Sequence, residues 1–228
     1  MIKYHKIETL FERDKETHKV IVGMEHFRNP VIPTITKWRV TEKIDGTNIR
    51  VYLTGTNKLR FGGRTDAAQI HADLYTYLAD TFTVEKMAAL RKEKDDDVTI
   101  TLYGEGYGAG IQKGGGLYRP DKAFILFDVL INNQWWLPDD AVTDIACKLG
   151  ILRVPELGIH TLESIIAVVR NGFSSRISCE PRAAEGIVAR PLMPLYDHRY
   201  RRVILKLKNH DFAPQDKVAI ARGWGDLD

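Results

Sequence analysis

Three short stretches near the start of the chain alternate apolar and polar residues. Gly, Asn and Asp separate these stretches, which are "KWRVTEKI" (37–44), "NIRVYLTG" (48–55) and "KLRFGG" (58–63). Such alternation is typical of half-buried strands, and the residues between them favour turns. Four later stretches also predict strands: "VTITLYG" (98–104), the more buried "KAFILFDVLI" (122–131), "GIVAR" (186–190) and "RRVILKLK" (201–208).

Apolar residues recur at helical spacing in four other stretches. These are "DAAQIHADLYTYLADT" (66–81), "VEKMAALRKEK" (84–94), "PDDAVTDIACKLG" (138–150) and "TLESIIAVVRNG" (161–172). The third has Pro and acidic residues at its start and Gly at its end, as helices often do. Strands come in clusters with helices grouped between them. This order predicts an α+β fold with largely antiparallel sheets, and not a regular βαβ repeat.

Composition and charge narrow the class of protein. The chain has 228 residues, of which 44% are hydrophobic and 28% charged, enough for one large domain or two small ones. A net charge of +3 gives little overall attraction for nucleic acid, so that case depends on local clusters. The cluster "HRYRR" (198–202) is equally consistent with a phosphate-binding edge and with a soluble turn. The charged first residues are unlike a signal peptide, and no apolar run approaches the roughly 18 residues of a membrane span.

The two cysteines lack the spacing of a metal site. These are Cys147 and Cys179, and Cys147 lies in a helical pattern, where we expect a reduced residue of the core. Reduced cysteines favour a cytoplasmic localisation.

A dinucleotide-binding motif is the first chemical alternative. "GEGYGA" (104–109) matches the loose Gly-x-Gly-x-x-Ala pattern and follows a predicted strand. The next segment, "GIQKGGGLYRPDK", is too rich in Gly and Pro to begin the helix that a Rossmann site needs. The sequence therefore argues against that alternative.

Charged residues interrupt five strand-like segments. Taken singly, each is most simply a strand residue on a solvated face. Lys206 and Lys208, however, are two apart and emerge from one face of a strand, where two ammonium groups repel unless an anion lies nearby. A nucleotide triphosphate is such an anion. Glu105 and Glu185 each adjoin a glycine, where backbone can approach a ligand closely.

The ordered set of charged residues resembles the covalent nucleotidyltransferases, which include ATP-dependent ligases and mRNA-capping guanylyltransferases. It is most similar to the RNA ligase 2-like branch. The family's motifs are matched, in order, by Lys43-Ile44-Asp45-Gly46, Arg64 in "GRT", Glu105 in "YGE", Phe127 in "FILFDV", "EGIV" (185–188) and Lys206-Leu207-Lys208. A Lys-x-Asp-Gly alone is weak evidence, whereas the ordered set is specific.

The resemblance implies a nucleotidyltransferase (ATP-grasp-like) fold, with flanking helices and the nucleotide in a groove between the sheets. Only 20 residues follow Lys208. We therefore expect a single nucleotidyltransferase domain over residues 1–228, with no C-terminal OB-fold or other appended domain. This weakens the capping alternative, which depends on a closing lid. RNA binding would then depend on a basic surface or on a partner protein, if there is one.

The resemblance also implies three chemical steps that serve RNA repair. Lys43 attacks the α-phosphorus of ATP, the adenylate moves to an RNA 5′-phosphate, and an RNA 3′-hydroxyl displaces AMP. A free lysine is almost fully charged at neutral pH and an ammonium ion has no lone pair, so burial and neighbouring cations must favour the neutral amine. Asn48, after "KIDGT", favours RNA over DNA as the substrate.

The remaining roles follow from the same resemblance. Catalysis is assigned to Lys43, Asp45, Glu105, Glu185, Lys206 and Lys208. Asp45, Glu105 and Glu185 are expected to hold Mg²⁺ or Mn²⁺ through water. Lys206, Lys208 and Arg64 would stabilise the charge that develops on phosphorus. The nucleotide contacts would also include the Glu42 backbone at the purine edge, Asn48 at the ribose or the incoming end, and Phe127 stacked on adenine.

Two other functions stay open at this stage. One is a minimal ATP-dependent DNA ligase, or a ligase that accepts mixed RNA and DNA. The other is a non-catalytic module that binds RNA ends or nucleotides. The intact lysine and carboxylates argue against the second, because a protein that only binds needs no nucleophile.

Overall fold

The computed structural model describes residues 1–92 and 97–212, and the chain divides into two compact units. Unit 1 comprises Met1–Tyr4 and Asp45–Val154, and unit 2 comprises His5–Ile44 and Pro155–Asp228. Each unit has its own sheet and its own hydrophobic core. The single domain over residues 1–228 stays a prediction.

Eleven strands form the two sheets in the described residues. They are β1 (Glu8–Thr9), β2 (Trp38–Lys43), β3 (Thr47–Leu53), β4 (Leu59–Gly62), β5 (Ile100–Gly108), β6 (Lys122–Ile131), β7 (Trp135–Trp136), β8 (Leu152–Arg153), β9 (Glu156–His160), β10 (Gly186–Pro191) and β11 (Leu205–Lys208). The four α-helices are α1 (Ala72–Thr81), α2 (Val84–Ala88), α3 (Asp139–Leu149) and α4 (Leu162–Asn171). Short 3-10 turns lie at Met24–His26, Ile32–Thr34, Gly115–Leu117 and Asn209–Asp211.

The sheet of unit 2 has the order β1-β11-β10-β2-β9. Only the β1–β11 pair is parallel. Along β2 the buried residues Trp38, Val40 and Glu42 alternate with partly exposed ones, so Lys43 lies on the face away from the core. Helix α4 contributes five buried apolar residues to this core: Leu162, Ile165, Ile166, Val168 and Val169.

The sheet of unit 1 has the order β4-β3-β5-β6-β7, and β8 pairs in parallel with β6. All the other pairs are antiparallel. The core of this unit takes its side chains from the sheet and from all three of its helices. The predicted α+β class with largely antiparallel sheets is confirmed.

Some element bounds agree with the sequence prediction and others differ from it. Strand β6 covers the predicted stretch 122–131 in full. Helix α1 begins only at Ala72, because the His71 Nδ1 accepts the Asp73 N–H at 3.2 Å and caps it there. Helix α2 ends at Ala88, earlier than predicted, and residues 93–94 of that prediction lie outside the described residues. The sequence did not indicate β9, which has Gly158 at its centre.

Three further expectations can be compared with the structure. The core position predicted for Cys147 is wrong: Val142, Ile145, Ala146 and Leu149 take the buried face of α3, and both cysteines are exposed and free. "GEGYGA" lies in β5 and its following turn, without the helix of a Rossmann site. In the described ranges, no helix has the length and apolar character that a membrane crossing requires.

Candidate functional site

Strand pairing in unit 2 brings together three of the predicted residues. Strand β10 lies between β2 and β11, and its first residue, Gly186, is opposite both Lys43 and Lys208. Glu185 directly precedes that glycine. The carboxylate therefore lies at the end of the central strand, with one lysine on each neighbouring strand.

Glu185 forms an ion pair with each lysine. Its Oε2 is 2.5 Å from the Lys43 Nζ, and its Oε1 is 2.5 Å from the Lys208 Nζ. Only 12% of the Glu185 side chain is exposed, which shields both pairs from solvent. Burial acts to raise the pKa of Glu185, but the charges and hydrogen bonds of Lys43 and Lys208 outweigh burial and lower it below the ordinary 4.5. The carboxylate thus stays ionised at neutral pH and bridges two cations.

The lowered pKa of Glu185 predicts how this triad responds to acid. Its contribution to stability is present above the ordinary value of 4.5 and is lost as pH falls through the lower, folded-state value. We expect Glu185→Gln to reduce the free energy of unfolding by roughly 1–3 kcal/mol at neutral pH and by much less at about pH 3. Urea unfolding at the two pH values measures this, and an equal loss at both would contradict the assignment.

Gly186 makes this close arrangement possible. Its φ is +153°, and a Cβ at this position would lie 2.1 Å from the Leu207 carbonyl oxygen and 2.7 Å from the Lys208 Cα. Neither approach is possible for a side chain, so only glycine lets β11 run this close behind Glu185. The backbone of Glu185 is also fixed there, because its carbonyl accepts the Asn209 N–H at 2.9 Å.

Lys206 extends the same basic face. It lies opposite Val188, two residues before Lys208, and both lysines are partly exposed while Leu205 and Leu207 are buried. The prediction that the two lysines share a face is confirmed by this alternation. Unit 2 therefore presents Lys43, Lys206 and Lys208 on the side of its sheet that faces away from the core.

Glu42 has a structural role that the sequence did not indicate. It is 1% exposed, its carboxylate accepts the Ser175 hydroxyl at 2.5 Å and the Arg176 N–H at 2.8 Å, and its own N–H donates to the Pro155 carbonyl at 2.9 Å. Burial raises the pKa of Glu42 above its ordinary value, and these hydrogen bonds oppose the shift. The side chain thus fixes the segment after α4. The contact of its backbone with a purine stays a prediction.

The remaining predicted residues lie in unit 1, where Gly46 packs tightly against the end of β5. A Cβ on Gly46 would lie 2.3 Å from the Gly106 carbonyl oxygen and 2.8 Å from the Glu105 Cγ. The glycine of the Lys-x-Asp-Gly motif is therefore required because Glu105 occupies the space beside it.

Two side chains hold the turn at Asp45 and Gly46, and neither was predicted. The Asp45 N–H donates to the Tyr118 hydroxyl at 3.2 Å, and the Gln112 side-chain amide donates to the Gly46 carbonyl at 3.0 Å. Both come from the glycine-rich segment after β5. That segment therefore positions the motif.

Asn48 has an unused acceptor beside Glu105. The two residues are directly opposite each other on β3 and β5. The Asn48 Oδ1 is buried and has no hydrogen-bond partner in the described residues. A buried acceptor without a donor is costly, by about 1–3 kcal/mol, so a ligand that donates a hydrogen bond there would be stabilised. A ribose hydroxyl, as the sequence predicted for Asn48, has that chemistry.

Arg64 lies on the exposed loop after β4, and a buried arginine supports that loop. The Arg50 guanidinium is 0% exposed and donates to the Gly63 carbonyl at 2.7 Å, to Asp66 at 2.9 Å and to the Met1 carbonyl at 2.9 Å. Arg50 was not predicted, because alternation along β3 assigned it to solvent. It acts by fixing the neighbours of Arg64.

Removing Arg50 should destabilise the protein strongly. We expect Arg50→Met to lower the free energy of unfolding by roughly 2–4 kcal/mol, since it removes the donor of the buried Gly63 carbonyl and that of the partly buried Met1 carbonyl. The matched control is Arg60→Met on β4, which is exposed and should change stability by less than about 0.5 kcal/mol. Urea unfolding compares the two, and equal effects would contradict the role of Arg50.

Phe127 occupies a β-bulge. Tyr103 pairs with Asp128 and Gly104 pairs with Leu126, so Phe127 is the extra residue of β6. It is the one partly exposed residue between Ala123 and Leu130. Bulges redirect a side chain. The bulge explains why this phenylalanine is less buried than its neighbours, and Tyr4 packs edge-on against it at 5.0 Å between ring centroids.

The carboxylates do not form a ready metal cluster. Within residues 1–92 and 97–212, no three His, Cys, Asp or Glu side chains are grouped as metal ligands. Both oxygens of Glu185 are taken by lysines. Asp45 and Glu105 flank the Gly46 turn in unit 1, and their oxygens are the donor type that Mg²⁺ prefers. Binding through water by these two residues is compatible with the arrangement.

Comparisons with known proteins add independent findings. The sequence profile of the family described as RNA ligase matches residues 36–208, more than half of the chain. A mutant of Naegleria gruberi RNA ligase with ATP and Mn is similar in structure, with a TM-score of 0.59 and 21% identity over 89% of this chain and 59% of that one. Naegleria gruberi RNA ligase with PPi gives a TM-score of 0.58 and 22% identity over the same shares.

A second mutant of that ligase, with AMP and Mn, gives a TM-score of 0.57 and 21% identity over 89% of this chain and 59% of that chain. At these identities the likeness shows a shared fold. The chain spans about 59% of the length of the solved structures it matches. A comparison with curated proteins found no match.

Proposed function

The chain belongs to the RNA ligase family, and from this premise we propose that it is an ATP-dependent RNA ligase. It joins an RNA 5′-phosphate to an RNA 3′-hydroxyl through a covalent lysyl-AMP intermediate and an adenylated 5′ end. The observation that carries this proposal is the pair of 2.5 Å contacts by which Glu185 bridges Lys43 and Lys208. Through these contacts Glu185 holds Lys43, the candidate nucleophile, on the sheet of unit 2 beside Lys208, a second cation.

Lys43 is the proposed nucleophile. Its nitrogen forms a bond to the α-phosphorus of ATP while the bond from that phosphorus to the bridging oxygen breaks, and pyrophosphate leaves. The ammonium loses one proton to solvent before the attack and a second to solvent or pyrophosphate after it, and the phosphoramidate nitrogen keeps the third. In the structure Lys43 is held in an ion pair with Glu185, and an ammonium ion has no lone pair. We therefore expect the Lys43–Glu185 pair to separate before the attack.

Glu185 acts by position more than as a base. Its lowered pKa makes it a weak proton acceptor at neutral pH. It keeps Lys43 and Lys208 together in the absence of nucleotide, and it prevents the two ammonium groups from repelling each other. When triphosphate binds, its negative charge replaces that of Glu185 beside Lys208 and Lys206, and these lysines stabilise the charge that develops on phosphorus.

The residues of unit 1 are proposed to contact the nucleotide and the metal. Asn48 would accept a ribose hydroxyl through its unused Oδ1. Phe127, at its bulge, would stack on adenine, and Arg64 would contact phosphate. Asp45, Glu105 and Glu185 are the residues that would hold Mg²⁺ or Mn²⁺, through water. When bound, the metal would neutralise charge on the phosphates.

The two later steps have different leaving groups: the Lys43 nitrogen in the second and AMP in the third. An oxygen of the RNA 5′-phosphate attacks the adenylate phosphorus, and the bond from that phosphorus to Lys43 breaks. The 3′-hydroxyl oxygen then attacks the activated 5′-phosphate, and AMP leaves with its phosphate. The Naegleria gruberi structures contain ATP, PPi and AMP. In the proposed reaction these are the nucleotide substrate, the product of the first step and the product of the third step. They support the assignment of ATP.

A sealing assay tests the proposed function. The protein is incubated with ATP, Mg²⁺ and RNA that carries a labelled 5′-phosphate and a free 3′-hydroxyl, and matched DNA is run in parallel. We expect the label to become resistant to phosphatase on RNA, with a transient adenylated strand. Faster sealing of DNA would support a minimal DNA ligase, and resistance on neither strand would contradict ligation.

A further inference from the structure

A short hairpin in unit 2 takes no part in the site described above. It spans residues 195–203, between β10 and β11, and is called here the arginine hairpin. Its arms are joined by the bridge between Tyr196 and Arg202 and by hydrogen bonds from the Val203 N–H to the Leu195 carbonyl at 2.8 Å and from the Asp197 N–H to the Arg201 carbonyl at 2.9 Å. It carries the "HRYRR" cluster whose role the sequence left open.

Asp197 fixes the tip of the hairpin. Its carboxylate accepts the backbone N–H groups of Arg199 at 2.8 Å and Arg201 at 2.9 Å, and also the Arg201 Nε at 2.8 Å. These contacts lower the pKa of Asp197 to about 2, led by the hydrogen bond from the Arg201 backbone. Tyr200 takes a left-handed φ of +56° at the turn. The shape of the tip therefore does not depend on the side chains of Arg199 or Tyr200.

Both of those residues are exposed. Tyr200 is 89% exposed, more than any other large hydrophobic residue in the described part of the chain. Arg199 is exposed as well, and its side chain pairs with no carboxylate of the described residues. An aromatic ring and a free guanidinium on a fixed turn suit stacking on an unpaired base and contact with its phosphate.

A basic cleft adjoins the hairpin. Its volume is about 430 Å³, and it is lined by the hairpin, by the start of β11 and by residues from the segments 5–10 and 28–32. Its lining includes five basic residues, which are Lys6, Arg28, Arg199, Arg201 and Arg202, and two acidic ones, which are Glu8 and Asp197. The acidic residues already pair with Arg28 at 3.0 Å and with Arg201 at 2.7 Å. The surplus of positive charge favours a ligand with more than one phosphate.

We propose that the arginine hairpin and its cleft form a docking surface for the RNA strand. Tyr200 stacks on an unpaired base, Arg199 binds an adjacent phosphate, and the cleft receives the phosphates that follow. Since the net charge of the whole chain is only +3, this local cluster supplies the attraction that the overall charge does not. The inference rests on the proposed function for the identity of the strand, and it adds a binding surface to that function.

Fluorescence anisotropy with a 5′-phosphorylated RNA tests the surface. We expect Tyr200→Ala to weaken RNA binding about tenfold, and Tyr200→Phe to retain binding because the ring remains. We expect Arg199→Ala to reduce the slope of log affinity against log salt by about 0.7, as the loss of one phosphate contact to a single strand should. The matched control is Arg60→Ala on β4, which removes an exposed arginine elsewhere and should leave affinity and slope unchanged.

Self-adenylation with ATP alone separates this inference from the proposed function. All four variants should adenylate like the wild type, because none changes the Lys43 site. Adenylation together with unchanged RNA affinity in Tyr200→Ala and Arg199→Ala would overturn the docking surface and leave the ligase intact. Loss of RNA affinity in a protein that never adenylates would support the surface and contradict the enzyme.

Inorganic pyrophosphate distinguishes an RNA strand from free phosphates. Calorimetric titration should give the same pyrophosphate affinity for the wild type and Tyr200→Ala, because Tyr200 carries no charge and does not line the cleft. If Arg199→Ala weakened pyrophosphate binding and left RNA binding unchanged, the cleft would be a site for small phosphate compounds, and the RNA assignment would be wrong.

Discussion

Lys43→Ala should abolish transfer of AMP to the protein and, with it, the sealing of RNA. The variant removes the only atom proposed to form the bond to phosphorus, so we expect a loss of at least about 1,000-fold, to background. Incubation with labelled ATP and Mg²⁺ followed by denaturing electrophoresis measures the label that stays on the protein.

The matched control for Lys43→Ala is Lys15→Ala, an exposed lysine of unit 2 distant from Glu185 in sequence. It should retain the label in full. Pre-adenylated RNA sharpens the test, because it bypasses the first step: Lys43→Ala should regain part of its sealing activity with that substrate. Full labelling of Lys43→Ala with ATP would exclude this lysine as the nucleophile.

Gly46→Val should be nearly as damaging, for a reason of packing. A Cβ at this position meets the Gly106 carbonyl oxygen at 2.3 Å and the Glu105 Cγ at 2.8 Å, and the two further methyl groups of valine need more room still. Either β5 or the turn must move, which displaces Glu105 or Asp45. We expect adenylation to fall at least about 100-fold, and the free energy of unfolding to fall by about 1–3 kcal/mol.

Gly116→Ala is the matched glycine control. Its new Cβ would meet only the Ala109 Cβ at 3.7 Å, an ordinary contact. We expect adenylation and stability close to those of the wild type. If Gly46→Val adenylated as well as Gly116→Ala, the packing of Glu105 against the motif would have no part in catalysis.

The charged residues of the site were predictable because they break the apolar pattern of strands. Lys206 and Lys208 are two apart, and the structure places both on the exposed side of β11. Lys43 follows the same rule on β2, where Glu42 takes the buried side. Alternation along a strand is a local property, so the sequence alone was enough to predict these faces.

The supporting residues were not predictable, because tertiary contacts decide their environment. Arg50 is the clearest case. In β3 the residues Ile49, Arg50 and Val51 are all buried, since the loop at Gly63 and the first residues of unit 1 cover the face that alternation assigned to solvent. Tyr118 and Gln112 likewise reach their partners from 73 and 66 residues away along the chain.

The most direct test of the central claim is the location of AMP on the protein. The wild type is incubated with ATP and Mg²⁺, its intact mass is measured, and the modified peptide is sequenced by tandem mass spectrometry. The account predicts a mass gain equal to one AMP, on Lys43 alone, that RNA with a 5′-phosphate removes. An adduct on another residue, or none with ATP while the protein is folded, would contradict it.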